Sequence, residues 1–238
     1  MDVKGKTAII TGANRGLGFA MSEKLASMGA TVVMACRDAK KGKEAAAKIT
    51  AKGFKAVAMQ VKVDDTNSIN KFAKEVAKKF PVVDILINNA GVNSEPGETG
   101  IENLDLKMFQ NIMKINLVGP VWMCKNIVPL MKKSDDGRIV NFSSGLGQLS
   151  VPRMGPYPSY SISKTAVNQL TKFLAEELKN TKVKVFSVDP GWVKTDLGGP
   201  QAPLSIEEGI VTPIWLATAD TKDLVSGEFY KEKKILGW

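Results

Sequence analysis

A tyrosine and a lysine four residues apart are the first side chains in this sequence that can do acid–base chemistry together. Tyr160 and Lys164 open a stretch with helical periodicity. Its apolar positions are Val167, Leu170, Leu174 and Leu178. Residues four apart share one face of a helix, so the phenol and the ammonium lie side by side. We predict that the ammonium lowers the pKa of the phenol from about 10, so that Tyr160 exchanges a proton near neutral pH.

A Tyr-x-x-x-Lys pair on its own is more often a solvated helix face, so other residues must decide between the two interpretations. Ser143 and Ser144 lie upstream, directly after a strand-like stretch. The chain has no histidine, which excludes a Ser-His-Asp triad and any histidine metal site. It has only two cysteines, Cys36 and Cys124, too few for a disulfide framework.

A glycine-rich turn stands between the first predicted strand and the first predicted helix. The strand-like stretch from Thr7 to Ile10 leads into Gly12, Gly16 and Gly18, and a helical run follows. Glycines let the backbone approach a pyrophosphate, and the start of a helix supplies free N–H groups and partial positive charge. Glycine-rich turns are common, but this position predicts a dinucleotide-binding site.

Two arginines indicate which dinucleotide this is. The second strand runs from Thr31 to Cys36, and its end is where a dinucleotide fold selects its cofactor. Arg37 follows there in place of an acid, and Arg15 lies in the glycine turn. Two guanidinium groups can hold a 2′-phosphate, which favours NADP over NAD. The alternative is a surface Arg37 that pairs with Asp38.

The other polar motifs also follow predicted strands. Asn88 to Gly91 follows a strand from Val83 to Ile87, Ser144 follows a strand from Arg138 to Phe142, and Asp189 to Asp196 follows a strand from Val183 to Val188. Open α/β sheets bind ligands at the carboxyl ends of their strands. Asn116 is a polar residue in an apolar helical stretch, so it must bond internally or serve a site.

Length and composition favour one α/β domain over residues 1–238. Strand-like and helical stretches alternate, and no linker or repeat divides the 238 residues. The net charge of +9 comes from scattered lysines, which favours solvated helix faces over nucleic-acid binding. The sequence has no N-terminal apolar targeting stretch and no membrane span, so we expect a cytoplasmic protein with no membrane partner.

Together these motifs resemble the short-chain dehydrogenase/reductase family, and the tail resembles its NADPH-dependent carbonyl reductases. The tail segments are Pro190 to Asp196, Glu207 to Gly209 and Gly227 to Trp238. The resemblance implies a single-domain Rossmann-like doubly wound parallel sheet of seven strands, order 3-2-1-4-5-6-7, with helices on both faces. It also implies an oxidoreductase that uses NADP(H) to reduce a ketone or aldehyde.

The resemblance assigns a role to each catalytic residue. Tyr160 donates the proton, Lys164 lowers its pKa and holds the nicotinamide ribose, and Ser144 positions the carbonyl oxygen. Asn116 supports a water-linked proton path to Lys164, and Thr195 contacts the carboxamide. The implied cofactor-binding residues are Gly12, Asn14, Arg15, Gly16, Leu17, Gly18, Arg37, Val63, Asn89, Ala90, Gly91, Tyr160, Lys164, Pro190, Gly191, Val193 and Thr195.

Two positions depart from the family pattern. Lys62 stands where an acid usually contacts the adenine amino group, and it cannot accept that hydrogen bond. Either Asp64 or the backbone replaces the acid, or adenine binding is weaker. The spacing from Ser144 to Tyr160 is three residues longer than the commonest one. Tyr157 fits the common spacing but lacks a lysine four residues later. We therefore assign catalysis to Tyr160 and expect Tyr157 in the pocket.

The predicted substrate pocket is apolar. It contains Ser144, Leu146, Tyr157, Tyr160 and Trp192, with Leu149, Val151, Pro152 and Met154 in the same loop as Leu146. Leu197 to Leu204 is a candidate lid, and Arg153 is the one strong charge in the loop before Tyr157. We expect uncharged apolar or aromatic carbonyl substrates. The alternative is that these side chains pack in the core or at a subunit interface.

Other functions remain open at this level. The same residues would serve an NADP-dependent hydroxysteroid or other secondary-alcohol dehydrogenase that works in oxidation. A catalytically silent NADP-binding regulator on the same fold would tend to lack the tyrosine or the lysine. The sequence leaves a homo-oligomer open and does not name the substrate.

Overall fold

One sheet of eight strands organises the computed structural model, which describes residues 1–95, 100–152 and 155–238. The strand order is β3-β2-β1-β4-β5-β6-β7-β8, and all neighbours are parallel except the last pair. The strands are β1 (Thr7–Thr11), β2 (Thr31–Cys36), β3 (Ala56–Gln60), β4 (Ile85–Asn88), β5 (Gly137–Phe142), β6 (Val183–Val188), β7 (Phe229–Lys231) and β8 (Lys234–Leu236). The predicted doubly wound order is confirmed for strands 1 to 7.

The eighth strand corrects the expected count of seven. Strand β8 pairs antiparallel with β7, with Tyr230 opposite Ile235. The hairpin turns at Glu232 and Lys233, whose φ angles are 50° and 61°. Such turns normally contain asparagine or glycine because positive φ strains other residues. The Glu-Lys turn therefore carried none of the sequence signals by which a hairpin is predicted.

Helices cover both faces of the sheet. They are α1 (Gly16–Ser27), α2 (Ala39–Thr50), α3 (Thr66–Lys79), α4 (Leu106–Met113), α5 (Gly119–Met131), α6 (Pro158–Glu177), α7 (Ile206–Gly209) and α8 (Val211–Thr218). Short 3-10 turns lie at Ile101–Asn103, Gly145–Gly147 and Thr221–Asp223, and a π-helical turn covers Lys114–Val118. In the part of the chain that the structure describes, no helix has the length and apolarity needed to cross a membrane.

Alternation along the strands separates the core into two layers. Ile10 packs with apolar residues of α1, α2 and α8, whereas its neighbour Ile9 packs with those of α3 and α5. Each layer holds one cysteine, Cys36 in the first and Cys124 in the second, and both are 1% exposed. Burial raises the pKa of Cys36 to about 11 and that of Cys124 to about 12. Both sulfurs are therefore protonated thiols at neutral pH.

Candidate active site

A cleft of about 750 Å³ lies at the carboxyl ends of the central strands. It collects most of the residues expected to bind the cofactor: Gly12, Asn14, Arg15, Gly16, Leu17, Gly18, Arg37, Val63, Asn89, Ala90, Gly91, Tyr160, Lys164, Pro190 and Thr195. The rule that motifs at strand ends converge in a doubly wound sheet accounts for this grouping. Predicted site residues outside its lining are Asn116, Ser144, Leu146, Tyr157, Gly191, Trp192 and Val193.

The glycine turn is shaped for close approach of a ligand. Gly12 and Gly16 have φ angles of 67° and 53°, which other residues rarely adopt. A Cβ on Gly18 would stand 2.3 Å from the Gly12 carbonyl oxygen. Helix α1 starts here without a side-chain cap and without an acid in its first turn. The turn thus fits a pyrophosphate, which free N–H groups at a helix start would hold.

A hydroxyl that the sequence analysis missed joins this turn to the loop after β4. The Thr11 Oγ1 atom accepts hydrogen bonds from the N–H groups of Asn89 and Ala90, both at 3.0 Å. The Asn89 side chain donates back to the Thr11 carbonyl at 2.8 Å. Thr11 is the last residue of β1, directly before the glycine turn, and this position could have indicated a role at the site. The two cofactor-facing loops are therefore held as one unit.

The two arginines line the same cleft but have different partners. Arg37 is exposed, and its neighbour Asp38 caps α2 by accepting from the N–H groups of Lys40 and Lys41. Arg15 forms an ion pair with Asp196, from the segment after β6. Both side chains of that pair are more than two-thirds exposed, so the pair contributes little to stability. Both arginines line the cleft despite these different partners.

The structure places Asp64 rather than Lys62 in the lining of the cleft. Val63 and Asp64 line it, whereas the Lys62 backbone N–H donates to the Ser68 hydroxyl at 2.9 Å. A carboxylate can accept from an adenine amino group, and an ammonium cannot. Of the two replacements considered for the missing acid, Asp64 thus lies at the cleft.

Tyr160 and Lys164 occupy the first turns of α6 and face the cleft. They are 8% and 4% exposed. The Lys164 Nζ atom lies 5.3 Å from the centre of the Tyr160 ring and donates a 2.8 Å hydrogen bond to the Phe142 carbonyl at the end of β5. The Ser144 side chain is close enough to the Tyr160 hydroxyl to act on the pKa of the phenol. Ser144 thus joins the tyrosine and lysine of α6 in one cluster, although it precedes Tyr160 by sixteen positions.

Burial dominates the protonation of this cluster. It raises the pKa of the Tyr160 phenol, helped by the negative charge of Asp189, and the interaction with Ser144 only partly opposes this. This direction is opposite to the expected one. Burial also lowers the pKa of Lys164 to about 8, against the opposing effect of Asp189. The prediction considered only the charge of the lysine, whereas burial acts on both groups.

Asn116 connects the loop after β4 to α6. It lies in the π-helical turn, and its side chain accepts from the Val92 N–H at 2.8 Å and donates to the Val92 carbonyl at 2.9 Å. It also donates to the Ser163 hydroxyl at 3.1 Å. A Cβ on Gly91 would stand 3.4 Å from Asn116 Oδ1 and 3.5 Å from Lys164 Nζ. Asn116 bonds internally, with its amide close to the lysine.

The apolar residues expected around the substrate come from two segments, the one after β6 and the loop before α6. Trp192 is 56% exposed, and its indole N–H donates to the Gly198 carbonyl at 2.7 Å, while Leu197 lines the cleft. Leu146 and Tyr157 are half-buried, and Leu149 and Val151 are exposed. Arg153 and Met154 lie outside the described residues. Further cleft residues that were not predicted include Val92, Ile115, Phe142, Ser143, Lys194 and Ile206.

The fold and its glycine turn define a Rossmann-like protein of the dinucleotide-binding class, and comparison with known proteins agrees with this class. Residues 6–203 match the family model for short chain dehydrogenase, so the chain belongs to the short-chain dehydrogenase/reductase family. It is 30% identical to (+)-neomenthol dehydrogenase from Arabidopsis thaliana, over 96% of each chain. It is 28% identical to carbonyl reductase [NADPH] 1 from Bos taurus, over 97% of this chain and 98% of that one.

The solved structures agree with the sequence relatives. An NADPH-bound carbonyl reductase from chicken fatty liver superimposes with a TM-score of 0.88 at 28% identity, over 99% of this chain and all of that one. A metagenomic short-chain oxidoreductase in complex with NADP superimposes with a TM-score of 0.79, also at 28% identity, over 95% and 96%. These matches extend beyond the glycine turn to the whole chain, and this chain is an oxidoreductase that acts on C=O or CH–OH groups.

Proposed function

We propose that residues 1–238 form one catalytic unit that uses NADPH to reduce a ketone or aldehyde to an alcohol. The observation that carries the proposal is the cluster of Ser144, Tyr160 and Lys164 beside a glycine turn fitted to a pyrophosphate. Assays of the purified protein with a panel of ketones, aldehydes and secondary alcohols, with both cofactors, test it. NADPH binding without turnover of any member would support the silent regulator instead.

The proposed roles follow from the geometry of the cluster. Bound NADPH would supply a hydride to the carbonyl carbon. Ser144 then donates a hydrogen bond to the carbonyl oxygen, where negative charge develops, and Tyr160 gives that oxygen its proton. A raised phenol pKa keeps Tyr160 protonated in the resting enzyme. Lys164, in contact with the tyrosine ring, is suited to stabilise the phenolate left behind.

The cofactor is NADP(H), and the residues of the cleft agree with this choice. Arg15 and Arg37 would hold the 2′-phosphate, the start of α1 the pyrophosphate, and Asp64 the adenine. Gly91 lies next to Lys164, where the nicotinamide end would bind, and Asn89, Ala90 and Thr195 also line the cleft. The carbonyl reductases among the relatives carry NADPH in their names.

Replacing Arg37 by alanine should raise the KM for NADPH at least about tenfold, because a charge-assisted hydrogen bond to the phosphate is lost. The KM for NADH should change less than about twofold. Steady-state kinetics with both cofactors measure the difference. Lys48→Ala, an exposed lysine near the other end of α2, is the matched control. Equal efficiency of the wild-type protein with NADPH and NADH would contradict the proposal.

We expect the substrate to be uncharged and apolar. Val92, Ile115 and Leu197 line the cleft, and apolar lining of this kind suits an apolar ligand. In a series of ketones of increasing apolar size, kcat/KM should rise by at most about tenfold to a few hundredfold, since each methylene adds about 1–3 kcal/mol at most. Preference for charged keto acids would contradict this expectation and indicate Lys194 or Arg153 as an anchor.

Oxidation of a secondary alcohol is the second candidate. The same three side chains serve the reverse reaction, with Tyr160 as the base, and one relative carries the name of an alcohol dehydrogenase. Measuring both directions for each alcohol–ketone pair in the panel distinguishes the two. Higher kcat/KM for the alcohol with NADP at neutral pH would favour the dehydrogenase.

A further inference from the structure

The helix that carries Tyr160 starts without a cap of its own. Helix α6 begins at Pro158, which has no N–H, and the preceding Tyr157 makes no side-chain cap. The N–H groups of Ser159 and Tyr160 therefore have no partner within the helix. Both residues are buried, so water cannot easily satisfy these donors. Their partner must come from elsewhere in the fold.

Glu95, from the loop after β4, satisfies these donors. Its Oε1 atom accepts from the Ser159 N–H at 3.0 Å and from the Ser159 hydroxyl at 2.6 Å, and its Oε2 atom accepts from the Tyr160 N–H at 3.0 Å. The residue is 8% exposed. Carboxylates are stabilised at helix starts, where the dipole and the free N–H groups are both favourable. A carboxylate 64 positions away in sequence thus caps the helix.

The same loop is tied to α6 at a second point. Val92 exchanges two hydrogen bonds with Asn116, which donates to Ser163, and the Ser163 hydroxyl donates to the Tyr160 carbonyl at 2.7 Å. The two links hold Tyr160 from the N–H side and from the carbonyl side. The loop that makes them begins with Asn89 to Gly91, which line the cleft. This loop thus fixes the position of Tyr160 relative to the cleft.

We propose that Glu95 is a positioning residue that fixes the catalytic phenol through the first turn of α6. The inference rests on the proposed function, because it assigns the proton donor to Tyr160. Glu95 does not line the cleft, so it acts through the helix and not on the substrate. Misplacing a catalytic group by about 1 Å can cost on the order of a hundredfold in rate.

Glu95→Ala should lower kcat about thirtyfold while the Kd of NADPH changes less than about threefold, since the cofactor contacts remain. Glu95→Gln should lower kcat only about fivefold, because the amide keeps one acceptor oxygen and the side-chain volume. If Glu95→Ala does not fold, Glu95→Gln provides the test. The matched control is Asp105→Ala, which removes the cap of α4 that accepts from the Met108 N–H. Its kcat should stay within about twofold of the wild type.

A measurement independent of turnover separates the two proposals. The chain has three tyrosines, so ¹³C-tyrosine NMR gives three ring signals, and Tyr160→Phe identifies one of them. Both Glu95 variants should shift the Tyr160 signal and leave that of Tyr230 unchanged. A wild-type protein without carbonyl turnover would defeat the proposed function only. Wild-type kcat and an unshifted Tyr160 signal in both variants, or an equal loss of kcat in Asp105→Ala, would overturn the role of Glu95.

Discussion

Tyr160→Phe is expected to lower kcat for carbonyl reduction by about a thousandfold or more. Only the phenolic oxygen is lost, and with it the proton donor and its interaction with Ser144. General acid catalysis and stabilisation of a developing oxyanion together account for a loss of this size. The ring still fills its buried site, so the Kd of NADPH should change little. Single-turnover kinetics and fluorescence titration with NADPH measure the two quantities.

Tyr157→Phe is the control for this assignment and should retain at least about half of the activity. Tyr157 precedes the first turn of α6, is half-buried and does not line the cleft. It stands at the family's commonest distance from Ser144, which makes it the rival candidate. A severe loss in Tyr157→Phe together with an active Tyr160→Phe would transfer the catalytic role to Tyr157.

Lys164→Met should lower kcat/KM at least about a hundredfold and abolish the decline of kcat/KM at alkaline pH. In the free enzyme burial lowers the pKa of Lys164 to about 8, so the ammonium is present below that pH and lost above it. For the wild-type protein, kcat/KM should therefore fall as the pH rises through about 8. The residual rate of the methionine variant should lack this decline. A wild-type profile that stays flat to pH 10 would contradict the assignment.

The same variant should be more stable than the wild-type protein at neutral pH. The pKa of Lys164 is lowered from 10.5 to about 8, so keeping the buried ammonium at pH 7 costs about 3 kcal/mol. The lost hydrogen bond to the Phe142 carbonyl offsets about 1 kcal/mol of that gain. The net change of about 2 kcal/mol should raise the Tm by about 4–8 °C.

The pH dependence of this stabilisation follows from proton linkage. Between pH 8 and 10.5 the unfolded wild-type chain holds the Lys164 proton and the folded chain does not, so wild-type stability rises with pH in that window. The advantage of Lys164→Met is thus largest below pH 8 and disappears towards pH 10.5. Denaturant unfolding at pH 7 and pH 10 checks this. An equal difference at both values would show that the ammonium is not the cause.

The position of the cleft could be predicted because it depends on local patterns, whereas the sheet order was implied by the resemblance to the family. Strand and helix periodicity, with motifs after β1, β4 and β6, place the ligand at one edge of the sheet. The pairs that connect distant segments left no such pattern. Arg15 meets Asp196 across 181 positions, and Glu95 meets Ser159 across 64. Only the folded chain brings these residues together.

The structure differs from the predictions at two further points, and residue spacing could not have indicated either of them. The prediction for the pKa of Tyr160 relied on the charge of Lys164, whereas burial and the negative charge of Asp189 raise that pKa. The β7–β8 hairpin turns through Glu232 and Lys233 at positive φ, where the turn chemistry is concealed by residue types that usually avoid it. In both cases tertiary packing overrides a local preference.

The two buried thiols allow opening motions to be measured separately on each side of the sheet. Cys36 lies in the layer under α1, α2 and α8, and Cys124 lies in the layer under α3 and α5. A thiol reagent added in excess reacts with either one only after its layer has separated from the sheet. Mass spectrometry of the labelled peptides would therefore give an opening rate for each side of the sheet. The difference between the two rates would show which face loosens first.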